Sequence, residues 1–306
     1  MTFRGWPVAL AVLLVLPGCS RARYGTLDLV PGDAVAAVEF RWREARANAG
    51  LKQFTELPVW IEFSKLGLSL SSLDAVVLFS RSLTMTADRG TAILSGSRLG
   101  RDFVQVADAP HGWTPESMGS TRGFVRSDGS NLAAASMGDD IIVIGSKDEI
   151  RHFARSGANT GAFVAKPEFA NVRVLFGDSS PIRVALAWPD GVADGAEMAV
   201  GMSAELLKSA GWPLAASVVE KLGIGRAYVV RLNPQPGGVS FNIAGVMRDD
   251  STAAIVTGSL SLLKGLASLM PSQEPQRQAD VVSTLTIQRT GTIVQVGMVV
   301  PNPAPR

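Results

Sequence analysis

Toward the end of the chain, Ser283, Leu285 and Ile287 alternate strictly with Thr284, Thr286 and Gln288, a period that puts the two sets on opposite sides of a strand. The pattern predicts a hairpin from Val281 to Gln288 and Thr292 to Val300, turned at Thr290-Gly291. Shorter apolar runs recur upstream in two series about 150 residues apart. The first opens with Ala34 to Phe40, continues with a proline-opened helix from Pro58 to Lys65-Leu66-Gly67, and then gives strands Leu73 to Arg81 and Thr91 to Gly96. The second opens with Ile182 to Trp188, has a helix from Pro213 to Lys221-Leu222-Gly223, and gives strands Arg226 to Leu232 and Val239 to Met247. Proline suits the first helical turn and glycine the position after the last, so both helices carry start and stop signals. An Arg-Asp pair leads into a further helix in each series, at Arg101-Asp102 and Arg248-Asp249.

Strand, helix, strand, strand, helix, strand is the order of the split βαβ unit. The expectation is therefore an α+β fold of two tandem ferredoxin-like (βαββαβ) lobes with mostly antiparallel sheet, continuous or packed from one lobe to the other. The first series adds a meander, Arg122 to Arg126, Leu132 to Met137 and Ile141 to Gly145, and a helix from Lys147 to Arg155. Residues 27–156 and 181–301 form the two expected lobes. Residues 157–180 are expected to link them, since Ser156-Gly157-Ala158-Asn159-Thr160-Gly161 lacks apolar period and holds two glycines.

The extreme N-terminus has a different pattern: one charge at Arg4, an apolar stretch from Trp6 to Leu16, then Pro17-Gly18-Cys19. Eleven apolar residues fall short of the roughly 20 a spanning helix needs, and the layout is that of a secretory signal peptide. Leu16-Pro17-Gly18-Cys19 resembles the lipobox of bacterial lipoproteins, with an aliphatic residue three before the cysteine and a small one just before it; Pro17 departs from the usual small or β-branched residue. The resemblance implies a signal peptide over 1–18, acylation of Cys19, and a lipidated tether over 19–26. It also implies an outer-membrane location facing the periplasm, because Ser20 rather than aspartate follows the cysteine. The mature region loosely resembles a group of uncharacterised bacterial envelope proteins, through Pro31-Gly32-Asp33-Ala34-Val35-Ala36 and the strand-to-helix passage Gly145-Ser146-Lys147-Asp148. That group has no established activity to carry over.

Composition narrows the function classes. The chain has 29 Lys plus Arg against 27 Asp plus Glu, a balance that gives no basic face for nucleic acid. Its single cysteine excludes intrachain disulfides, so stability comes from burial of a 46% apolar chain. Only two histidines occur. His152 lies four residues after Asp148 and reads as half of a surface charge pair. His111, in a turn-rich loop beside Trp113, is a candidate ligand or partner contact, as are Trp113 itself and two methionines, Met198 and Met202, on a low-polarity helical stretch. Ser261-Leu262-Leu263-Lys264 matches a Ser-x-x-Lys spacing but lacks the companion triplets of acyl-enzymes and sits within a helix of core period. The doublets Asp139-Asp140 and Asp249-Asp250 lack the alternating ligands of a calcium loop and read as turn and cap residues. No cofactor, metal or catalytic residue is indicated. The sequence points to a non-enzymatic binding or scaffolding module with an envelope protein partner. A carrier of an acyl chain near Met198 and Met202, and an enzyme assembled from Asp, Glu, Arg and Ser, are the alternatives.

Overall fold

The computed structural model describes residues 25–56, 68–82, 90–108, 112–118, 121–156, 162–176, 180–187, 204–205, 208, 213–222, 225–267 and 275–302. Its strands are β1 (Ala36–Phe40), β2 (Ala75–Ser80), β3 (Gly90–Ser95), β4 (Trp113–Met118), β5 (Thr121–Arg126), β6 (Leu132–Met137), β7 (Ile141–Ser146), β8 (Ile182–Ala187), β9 (Ala227–Gln235), β10 (Gly238–Val246), β11 (Thr286–Thr290) and β12 (Ile293–Pro301). They form one twelve-stranded sheet in the order β11-β12-β10-β9-β8-β1-β2-β3-β7-β6-β5-β4. Every pairing is antiparallel.

The α+β class and the continuous sheet follow the sequence pattern, but the ferredoxin-like pairing does not. A split βαβ unit would set the first and third strands of each copy side by side and parallel. Here β1 pairs with β2 and β8, and β8 with β1 and β9. Element order is the same in both arrangements, so only strand pairing distinguishes them. Read outward from the centre, β1, β2, β3, β7 and β8, β9, β10, β12 follow the same course.

All but one of the helices named next cover the first face of the sheet, and α4 covers the second. Those used below are α1 (Trp42–Ala47), α2 (Lys52–Thr55), α3 (Leu99–Asp108), α4 (Lys147–Ser156), α5 (Pro213–Leu222), α6 (Asp250–Ala267) and α7 (Pro275–Thr284). In α3 the buried residues Leu99, Phe103 and Ala107 recur every four positions, and in α6 Ala253, Val256 and Leu260 recur at three and four, the spacing of one helical stripe. With Phe40, Val76, Leu94, Ile144, Tyr228, Phe241 and Val296 they form the core of the first face. Helix α5 begins at Pro213 as the sequence indicates; the matching stretch Pro58 to Gly67 lies outside the described residues. The α6 terminus is capped by Asp249, which accepts the Thr252 amide at 2.7 Å. That contact is the main cause of its lowered carboxyl pKa.

The second face has its own core, built by Val77, Phe79, Ile93, Val143, Ala185 and Val229 with Ile150 and Phe153 from α4. Residues 162–176, expected as a linker, pack here as 3-10 turns. Phe163, Phe169 and Phe176 are fully buried and stack edge to face at 5.3 and 5.0 Å. The glycines of 157–161 suggested a tether, but the aromatics that follow anchor the crossover to the sheet. The final hairpin also differs from expectation. Residues Val281 to Thr284 finish α7, and the strand begins only at Thr286, turning through Gly291 at a positive φ of 55°.

Candidate functional site

At the centre of the sheet, Glu39 of β1 stands directly opposite Arg183 of β8. Both are buried on the second face. Arg183 Nε donates to Glu39 Oε2 at 2.7 Å and a terminal nitrogen donates to the same oxygen. The other terminal nitrogen donates to the Phe176 carbonyl, and the Thr26 amide donates to Glu39 Oε1 at 3.1 Å. Both charges are thus satisfied where water is absent. This pair is a joint between the halves of the chain, and no local pattern signals it because the partners are 144 residues apart.

A second polar group surrounds α4. Glu116 of β4 accepts from Lys147 at 2.7 Å and Arg151 at 2.5 Å, and the Lys147 hydrogen bond is the largest cause of its lowered pKa. Arg81 bridges Asp33 at 2.8 Å and Glu149. His152 is a surface residue near a carboxylate as expected, but that carboxylate is Asp33 at 3.4 Å. Asp148 is instead 3.9 Å from Arg151.

Few of the candidate contacts converge. Trp113 is buried at the start of β4, edge-on to Phe103 at 5.5 Å with the Arg126 guanidinium 5.3 Å above it, and is used for packing. His111, Met198, Met202 and Cys19 lie outside the described residues. Ser261 donates to the Thr257 carbonyl at 2.9 Å and Lys264 to the Leu285 carbonyl at 2.6 Å, so the two do not form a nucleophile and base pair. Asp140 accepts the Arg98 amide at 2.8 Å. Among the described residues no group of three or more His, Cys, Asp or Glu could hold a metal, and no helix is long and apolar enough to cross a membrane. The clefts have polar walls. One of about 340 Å³ is bordered by Glu39, Arg41, Arg43 and Asp74.

The surface feature the sequence pattern missed is the outer side of α6. Ile255, Leu262 and Leu266 are 66%, 69% and 55% exposed, and among the described residues Val174 is the other large apolar side chain so exposed. Ser251, Gly258 and Gly265, and beside them Ala254 and Ser261, are exposed on the same side at seven-residue intervals. A Cβ at Gly258 or Gly265 would meet nothing within 4 Å. The result is an uncharged helix face of small residues flanked by three projecting aliphatic ones. The signal was present in the sequence, since α6 has apolar residues on more than one side, but core spacing assigned Ala254, Leu260, Leu263, Ala267 and Met270 to the core; Ala254 is instead exposed, and Met270 lies outside the described residues.

No family model matches the chain, and no curated protein does. Three crystal forms of TP0453 are similar to it in structure. Form III has a TM-score of 0.47 at 8% identity, covering 89% of this chain and 93% of that one. Form IV has 0.45 at 9%, covering 90% and 95%, and form I has 0.44 at 9%, covering 90% and 92%.

Proposed function

We propose that the protein is a lipid-anchored envelope protein acting as a non-enzymatic binding module, whose α6 face receives a helix of an envelope protein partner. The observation that carries this reading is the exposed Ile255, Leu262 and Leu266 row. Large apolar side chains grouped on an otherwise polar surface mark interaction sites. The seven-residue spacing of Ser251, Gly258 and Gly265 favours a helix as the occupant, because knobs from a facing helix fit holes repeated at that period. The same reading takes Cys19 as the membrane attachment and the two halves as tandem units, supported by their matching course outward from β1 and β8.

The test is crosslinking of the full-length protein in its native membranes, with mass spectrometry of what co-purifies, for the wild type, Cys19→Ser and Leu262→Glu. A protein recovered in stoichiometric amount is expected. Leu262→Glu should reduce that recovery by about tenfold, the effect of losing one interfacial anchor, with thermal stability unchanged because the position is exposed. Cys19→Ser should release the protein from membranes. Undiminished crosslinking in Leu262→Glu would overturn the helix-docking reading, and membrane retention of Cys19→Ser would overturn the anchor.

A further inference from the structure

Where β1 ends, the second face of the sheet opens into the cleft of about 340 Å³. Arg41 follows the last residue of β1 in extended backbone, with φ −77° and ψ 90°, and its amide donates to the Pro181 carbonyl at 2.7 Å. Two positions along an extended chain share a side, so Arg41 and Glu39 line the same cleft. Ala75 and Ser95, neighbours across β2 and β3, complete the floor. Glu39 closes the inner end, its carboxylate already engaged by Arg183 and by the Thr26 amide. Arg43 and Glu44 at the start of α1, together with Asp74, form the rim.

Arg41 is the residue whose own contacts fall short. Its side chain is only 25% exposed, yet the acid it pairs with, Glu44, stands 3.6 Å away, beyond hydrogen-bond reach. Among the described residues its guanidinium makes no hydrogen bond. A guanidinium carries five N–H donors, and groups so covered are ordinarily satisfied. Its planar fork matches a carboxylate bidentately. The surroundings disfavour a simple anion, because Glu44 and Asp74 stand at the rim. Asp74 holds Arg43 at 2.5 Å, but the two side chains are 47% and 76% exposed, and exposed pairs of this kind are weak and readily exchanged. With Glu39 offset by Arg183, the accessible charges are two arginines and two acids. A ligand with one charge of each sign therefore leaves none unmatched. A cavity of about 150 Å³ holds benzene, so about 340 Å³ suits roughly twice as many heavy atoms, the size of a dipeptide. We propose that the cleft binds a zwitterionic amino acid or dipeptide, with its carboxylate on Arg41 and its ammonium between Glu44 and Asp74. The site lies on the face opposite α6 and is independent of any partner bound there.

The test is calorimetric titration of the full-length protein in detergent with L-alanyl-L-alanine as probe. Its N-acetyl derivative, its C-terminal amide and glycerophosphoethanolamine are the controls. One saturable site for the dipeptide is expected, with each control at least about tenfold weaker. Arg41→Gln should weaken the dipeptide by about tenfold or more and bring it level with its amide, since the carboxylate no longer has a partner. Glu44→Gln, at a half-exposed position, should weaken it as well and bring it level with the N-acetyl derivative. A purely structural role for either residue would lower all affinities together and leave those ratios alone. Thermal melts verify folding, and Asp74→Asn provides a further exposed variant that should also lose discrimination against the N-acetyl form. No saturation up to about 10 mM, equal binding by glycerophosphoethanolamine or by either blocked peptide, or retained discrimination against the amide in folded Arg41→Gln would each overturn the assignment.

Discussion

The two halves of the sheet run the same course but close their second faces differently. In the first half Ile93 and Val143 stand side by side on β3 and β7, and α4 lays Ile150 and Phe153 over that region. In the second half the corresponding strands β10 and β12 bring Ala244 opposite Gln295, with Asn242 and Gly297 as the next pair. The described residue that reaches this region is Leu175. Both halves contribute to the second-face core, through Ile93 and Val143 in one and Val229 and Ala244 in the other, but among the described residues only the second half has a polar cleft across its paired strands. Connectivity does not decide which; the side-chain set on alternate strand positions does. A comparison between equivalent sites can thus separate residues that hold the fold from residues that tolerate change.

The largest contrast is expected between the two arginines of one row. Glu39→Ala leaves the buried Arg183 charge unmatched and should cost about 3–5 kcal/mol, seen as a much lower denaturant midpoint. Arg231→Gln, one strand away, should change stability by less than about 0.5 kcal/mol. If both variants melted alike, the distinction between the fully buried arginine and the partly exposed one would be lost.

Next in size is the covering helix. Phe153→Ala removes a buried ring lying 6.2 Å from Phe79 and should cost about 3–5 kcal/mol by chemical denaturation. Gln295→Ala at the open face should stay within about 0.5 kcal/mol. A comparable loss from Gln295→Ala would show that the second face is closed in both halves.

The smallest effect concerns the ion pairs that fasten α4 to β4. Glu116 has a lowered folded pKa because Lys147 and Arg151 hydrogen bond to its carboxylate. A depressed carboxylate stabilises the fold above its unfolded pKa, and the contribution disappears as pH falls from the ordinary value of 4.5 through the lower folded one. An NMR titration should place the Glu116 midpoint below that value, and Lys147→Gln should move it upward. An unmoved midpoint would remove Lys147 as the main cause. In the second half no such acid-sensitive clamp is expected over the cleft, whose described lining holds no carboxylate.

Much of the fold was legible because strand and helix periods are local. β6, β7, α4 and β10 fall close to where alternation and helical spacing put them, and the Asp249 cap followed from residue type. The pairing of strands was not legible, since element order alone fits both a split βαβ unit and the observed meanders. The turns of 162–176 were misread because glycines preceding them outweighed Phe163, Phe169 and Phe176. The cleft of the second half was half legible. Thr286 and Gln288 stood out as the polar side of an alternating strand, yet their juxtaposition with Asn242 and Arg231 depends on a register that joins residues over 40 positions apart. The exposed side of α6 was hidden because one helix served two apolar faces.

The Glu39 and Arg183 joint also bears on how the chain is made. β1 emerges from synthesis long before β8, and at about 5–20 residues per second the 144 residues between the pair leave one side of β1 unpartnered for roughly 7–30 s. A bare strand edge invites association with other chains, and a carboxylate pointing inward from the middle of that edge opposes it. When β8 arrives, a slip of one residue would turn Arg183 to the opposite side of the sheet from Glu39. The acid thus guards the nascent edge and then admits β8 in a single alignment.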